Sequence, residues 1–165
     1  MSSLLAIDPG SNKLGLAWFS SGVLIAAKTL VTSKTSPLER RLDMANKIAE
    51  FVDLVDDVAS EEPLLLGRNN NFMQRLLGYI ELLTNGKVWM IHPMTLKKFM
   101  NSGTSDKLDM ALAAGKMLQS EDEKEILAKL ITEELEKPDD EQSFDATDAV
   151  CVGLAYLKRG ENDAA

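Results

Sequence analysis

Leu4-Leu-Ala-Ile-Asp-Pro-Gly-Ser-Asn-Lys-Leu-Gly-Leu-Ala-Trp18 consists of two apolar runs joined by a turn. Leu4 to Ile7 is short and wholly apolar, the pattern of a buried strand. Asp8-Pro9-Gly10-Ser11 breaks it, because Pro and Gly favour turn conformations. Leu14 to Phe19 reads as a second strand, Ser20-Ser21-Gly22 as another turn, and Val23 to Val31 as a third strand. Strands joined by such short turns form an antiparallel meander.

Downstream the period changes. Ser36-Pro37 starts a helix, with Pro at the first helical position. Leu38, Leu42, Ala45, Ile48, Ala49, Val52 and Val55 recur at helical spacing and form its apolar face, as core or as a dimer surface. Pro63 to Leu66 reads as a fourth, central strand. Phe72, Leu76, Leu77, Ile80 and Leu83 form the next helix, closed by Asn85-Gly86. Val88 to Ile91 is a fifth strand, and Pro93 opens a short helix to Met100. Ser105 or Asp106 caps the helix that follows. Residues 120–141 form an acidic, solvated helical segment. A last helix runs from about Phe144 to Lys158, ahead of a polar tail at 159–165. The expectation is one α/β domain over residues 1–165 with a five-stranded mixed sheet.

Composition restricts the chemistry. The 165 residues are 45% hydrophobic and 27% charged, the balance of a water-soluble domain. No apolar run is long enough for a membrane span, and the N-terminal residues do not read as a signal peptide. A single cysteine, Cys151, rules out an internal disulfide and fits a reducing compartment, so a cytoplasmic location is expected. With one cysteine and one histidine there is no ligand set for structural zinc, so a bound metal would be a hard ion held by carboxylates. The net charge of −8 argues against nucleic acid when taken alone. Much of the acid, however, lies in residues 120–141, while Arg68, Arg75, Lys87, Lys97, Lys98 and Lys107 occupy a segment with few acids.

Asp8 ends a buried strand at a turn, where it either caps backbone N–H groups or faces a crevice as a ligand. Asp145 and Asp148 lie three apart at the start of the last helix, on one face. They either favour the helix dipole and meet solvent, or share a cation. Asp148 adjoins the apolar run Ala149 to Ala155, which a solvated face would not produce. Together, Asp8, Asp145 and Asp148 would make an all-oxygen cluster suited to two-ion phosphodiester hydrolysis.

The order of these motifs resembles the RuvC-type Holliday junction resolvases, in particular a small phage-encoded branch. Ile7-Asp-Pro-Gly-Ser11 with Gly15 is similar to the family's first-strand motif. Thr95 to Lys107 is similar to its basic segment, and Asp145-Ala-Thr-Asp-Ala149 to its C-terminal aspartate pair. The resemblance implies an RNase H-like fold and a homodimer that cuts four-way DNA junctions in pairs with magnesium or manganese, two ions per site, in a host cytoplasm if the source is a phage. Carried over by position, Asp8, Asp145 and Asp148 would hold metal, and Lys107 would approach a phosphate at the catalytic site. Lys97 and Lys98 would hold a DNA arm, or else form a basic helix without a ligand. The family also has a glutamate at the end of the fourth strand. Here the corresponding position is expected at Leu66 or Gly67, with Glu61 and Glu62 at the opposite end, roughly 13 Å away. That mismatch raises an alternative: a junction-binding protein impaired in cleavage.

Arg68, Asn69 and Asn70 can donate to phosphates, and Arg75 adds a cation nearby. Phe72 either stacks on bases or begins the apolar helix face. His92 reads as a polar strand-end residue and Cys151 as core. A reading from another class, an actin-like nucleotide-binding domain, lacks a second glycine-rich phosphate loop.

Overall fold

A computed structural model describes residues 2–63, 70–100 and 106–162. The elements are β1 (Ser3–Asp8), β2 (Lys13–Ser20), β3 (Val23–Val31), α1 (Pro37–Val52), β4 (Asp57–Glu61), α2 (Asn70–Leu83), β5 (Val88–Ile91), α3 (Pro93–Phe99), α4 (Lys107–Met117), α5 (Glu121–Leu135) and α6 (Asp145–Asn162). The five strands form one sheet in the order β3-β2-β1-β4-β5. β1, β2 and β3 pair antiparallel, while β4 joins β1, and β5 joins β4, in parallel. Ser21 (φ 51°) and Gly22 (φ 83°) form the two-residue turn between β2 and β3. Positive φ at both positions gives a twist that matches the strands.

Side-chain alternation divides the core into two layers. Leu5 and Ile7 of β1 pack with Met44 and Ile48 of α1 and with Phe72, Leu76 and Ile80 of α2. Leu4 and Ala6 face the other side, where α3, α4, α5 and α6 pack. The helix starts follow local chemistry. Ser36 caps α1 with Pro37 behind it, His92 Nδ1 caps α3, Asp106 caps α4, and Ser120 with Glu123 forms a reciprocal capping box on α5. Among the described residues, no helix is long and apolar enough to cross a membrane.

Several expectations are corrected. The fourth strand of the sheet is Asp57–Glu61, ahead of the expected Pro63 to Leu66. Its buried residues Val58, Ala59 and Ser60 are less apolar than the Leu run, but they fit the register of β1, with Ala6 beside Ala59 and Ile7 beside Ser60. Residues 64–69, and with them Leu66, Gly67, Arg68 and Asn69, lie outside the described residues, as does Ser105. Leu38 and Leu42 are exposed, so the buried face of α1 begins only at Met44. The acidic segment is not simply solvated. Glu123 is buried and accepts from the Leu24 backbone N at 2.9 Å, which ties α5 to β3. The last helix continues to Asn162, through part of the expected tail.

Candidate active site

β1 and β4 are parallel neighbours whose C-terminal ends carry Asp8 and Glu61. Parity fixes the direction of both side chains. Asp8 follows Leu4 and Ala6, and Glu61 follows Ala59, all on the α6 side of the sheet. The carboxyl groups are within hydrogen-bonding reach of each other.

α6 supplies the other carboxylates from its first turn, Asp145 and Asp148. Its N-terminus rests almost directly on the sheet. Gly15, opposite Asp8 on β2, permits this approach: a Cβ there would lie 1.8 Å from the Asp145 carbonyl oxygen. Phe144, just before the helix, has φ 55°, a conformation that costs a bulky residue about 1–3 kcal/mol. Its carbonyl accepts from Thr147 Oγ1 at 2.7 Å, and its side chain is buried.

Lys107, at the start of α4, places its ammonium among these acids. Nζ lies 2.8 Å from Asp148 Oδ2, 3.8 Å from Asp145 Oδ1 and 2.7 Å from the Ser143 carbonyl oxygen. Desolvation lowers the lysine's proton affinity, but Asp148, Asp8 and Asp145 outweigh it and the net shift is upward. Lys97, on α3, acts electrostatically on Glu61 and Asp148.

One lysine does not neutralise four acids. Burial pushes the Asp8 carboxyl well above its ordinary range, and the charges of Asp148, Glu61 and Asp145 push it further, against the pull of Lys107. Burial also raises Glu61, opposed by its bond to Asp8, and raises Asp148, opposed by Lys107. Mutual repulsion in a water-poor pocket therefore favours either a shared proton or an added cation. Asp145 Oδ2 is buried without a hydrogen-bond partner. The donor set is all oxygen and anionic, which suits magnesium or manganese. Among the described residues, no three His, Cys, Asp or Glu side chains are set to hold an ion as they stand. The Lys107 ammonium supplies the cation in this arrangement.

The cluster brings together three aspartates expected from the sequence, Asp8, Asp145 and Asp148, with Lys107. It also contains Glu61, which sequence reasoning places at the wrong end of its strand. The acid at the C-terminal end of a strand beside β1 is the signal that could have found it. Phe72 is buried between α1 and α2, so base stacking by this side chain is not supported. Arg75 is exposed on α2, and Lys98 is exposed on α3. Asn70 begins α2. His92 serves as a helix cap and Cys151 is core, its thiol raised by burial and by the nearby acids.

No protein-family model matches the sequence, and no curated protein sequence matches it. Solved structures do match. RuvC from Thermus thermophilus is 19% identical, with a TM-score of 0.67 over 98% of this chain and 96% of that one. The same protein in complex with a Holliday junction substrate gives 18% identity and a TM-score of 0.63 at the same coverage. The fowlpox virus Holliday junction resolvase is 15% identical, with a TM-score of 0.60 over 94% and 97% of the two chains. The fold is therefore RNase H-like, in the arrangement shared by RuvC and the poxvirus resolvase.

Proposed function

We propose that the chain is a divalent-metal-dependent endonuclease that cuts branched DNA, four-way junctions in particular. The observation that carries the reading is the convergence of Asp8, Glu61, Asp145 and Asp148 at one edge of an RNase H-like sheet, with Lys107 among them. Structural neighbours in complex with Holliday junction DNA favour the branched-DNA reading.

Asp8 and Glu61 would hold magnesium or manganese from the strand ends, and Asp145 and Asp148 from α6. When bound, a pair of such ions activates water and stabilises the leaving oxygen of a phosphodiester. The protein's own part is positional. The strand ends fix two carboxylates on rigid backbone, and the close seat of α6 on Gly15 fixes the other two. Lys107 offsets part of the cluster's charge and offers an ammonium to a phosphate oxygen as a point charge. Paired cuts need two such sites, so the reading includes a homodimer.

The alternative, a junction binder without cleavage, rests on a fourth strand lacking a terminal acid. Glu61 at the end of β4 offers a candidate for that acid and so favours the cleaving reading. The test is incubation of a labelled four-way junction with the protein in magnesium or manganese, beside Asp8→Asn and Glu61→Gln. The expected result is junction nicking by the unaltered protein alone, absent in EDTA. Binding without nicking in both metals would return the reading to a junction binder. Equal action on linear duplex would remove the structure selectivity.

A further inference from the structure

On the α1 side of the sheet, next to the turn that follows Asp8, two guanidinium groups stand without acidic partners among the described residues. Arg40 and Arg41 lie in the first turns of α1. Arg40 Nη1 donates to Asn12 Oδ1, in the turn that follows Asp8. Arg40 Nε is buried and has no acceptor. Both guanidiniums sit 6.0 Å from the centre of the Phe72 ring. Among the described residues, neither forms an ion pair. Of the undescribed residues, 64–69 and 101–105 contain no acid, and Asp163 follows the last residue of α6.

No pairing within α1 accounts for these two cations: the acid of its first turn, Glu39, accepts from Ser36 Oγ at 2.8 Å. The nearest acid one turn on, Asp43, is engaged by Lys47 at 2.9 Å. Nor does stacking on the Phe72 ring account for two arginines, since each such interaction contributes only about 0.5–1 kcal/mol at a partly exposed site. Two unpaired guanidiniums held against one aromatic ring form a preorganised fork for oxyanions.

We propose that Arg40 and Arg41, oriented by Asn12 and Phe72, bind the phosphodiester backbone of the nucleic acid whose cut bond lies at the Asp8–Glu61 cluster. The proposal rests on the nuclease reading above. Asn12 lies four residues beyond Asp8, so the two are at most about 14 Å apart. The strand entering the cluster would therefore pass the guanidiniums. The acidic cluster repels phosphate, and a cationic clamp on its rim supplies the attraction that it lacks. Tethering Arg40 to the Asp8 turn also fixes the distance between clamp and cluster.

The test is the salt dependence of junction binding in EDTA, followed by fluorescence anisotropy. For duplex DNA, the slope of log affinity against log salt falls by about 0.9 for each phosphate that the protein ceases to neutralise. The Arg40→Gln, Arg41→Gln double variant is expected to lose between about 0.9 and 1.8 of slope. The double lysine variant keeps the charges and is expected to keep the slope. Single glutamine variants, each showing part of the drop, serve if the double variant melts early. An unchanged slope in the glutamine variants overturns the clamp while leaving the nuclease reading intact. Loss of slope in the lysine variant as well makes the arginines structural and also overturns it. Failure of the unaltered protein to bind junction DNA at all removes both readings.

Discussion

Gly15→Ala is the most direct test of how the site is assembled. The added Cβ would lie 1.8 Å from the Asp145 carbonyl oxygen, 2.3 Å from its carbon and 3.0 Å from the Ala146 nitrogen. All three are backbone atoms, so no side-chain rotation relieves the clash. Restoring an ordinary separation of about 3.5 Å between carbon and its neighbour requires α6 and β2 to move apart by more than an ångström. Overpacking of this kind costs about 1–3 kcal/mol. For a chain of this size that is a fall in Tm of about 2–12 °C. The same separation carries Asp145 and Asp148 away from Asp8. A misplacement of about 1 Å in a catalytic group costs on the order of 100-fold in rate. Thermal melting and manganese-dependent nicking, read on one preparation, measure both effects. Gly78→Ala is the control: Gly78 is in α2 with open space around it, and alanine there should stabilise by about 0.5–1 kcal/mol without changing the rate. If Gly15→Ala matches the unaltered protein in both Tm and rate, the close seat of α6 is not what sets the site.

Asp8→Asn removes one of the repelling buried acids and is expected to stabilise the metal-free protein by about 0.5–2 kcal/mol while abolishing nicking. Its pH dependence has a definite sign. The folded Asp8 binds its proton more tightly than the unfolded one, whose ordinary value is 3.8, so its contribution is most favourable below that value and is lost as pH rises through the folded pKa. The Tm difference between Asp8→Asn and the unaltered protein in EDTA should therefore widen with rising pH, and a constant difference would contradict this. Glu123→Ala should cost about 1–3 kcal/mol in urea denaturation, because it leaves the Leu24 and Gln119 N–H groups without their acceptor. Burial raises Glu123, but the bonds from Leu24, Ser120 and Gln119 outweigh it, so its stabilisation is present above the ordinary value of 4.5 and disappears as pH falls through the lower folded pKa. Lys107→Met removes the resident cation. It should lower stability in EDTA by no more than about 1 kcal/mol, since the lysine is half exposed, and manganese should restore the loss. A Tm that manganese leaves unchanged would argue against an ion-binding cluster.

Local chemistry makes most of the fold legible. The turns after Asp8 and Ser20, the proline starts at Pro37 and Pro93, and the run from Val88 to Ile91 each combine a period with a terminating signal, and the structure places elements there. β4 defeats the same reasoning because hydrophobicity is a poor mark of this central strand. The strand instead uses two small, fully buried residues, Ala59 facing α6 where that helix lies close to the sheet and Ser60 facing the other layer. Reading the leucines as the strand shifts it along the chain and turns Glu61 from its last residue into its far end. Glu123 escapes the sequence for a related reason: on a helix rich in acids, one carboxylate that accepts backbone N–H groups looks like its solvated neighbours. Arg40 and Arg41 look like the polar side of an amphipathic helix, since sequence does not show which surface charges lack partners.

The order in which the cluster's members occur along the chain has a consequence during synthesis. Asp8 and Glu61 lie early in the sequence, whereas Asp148 follows Asp8 by 140 residues. At ribosomal speeds of about 5–20 residues per second, roughly 7–28 s separate them. The central strand β1 and its neighbour thus wait, lacking the cover of α6, until the C-terminal helix emerges. A nascent or truncated chain holds only half of the carboxylates, and those are not yet shielded from water. Any activity of the cluster in this sense waits on synthesis through α6, because the helix that closes the core is also the one that completes the site.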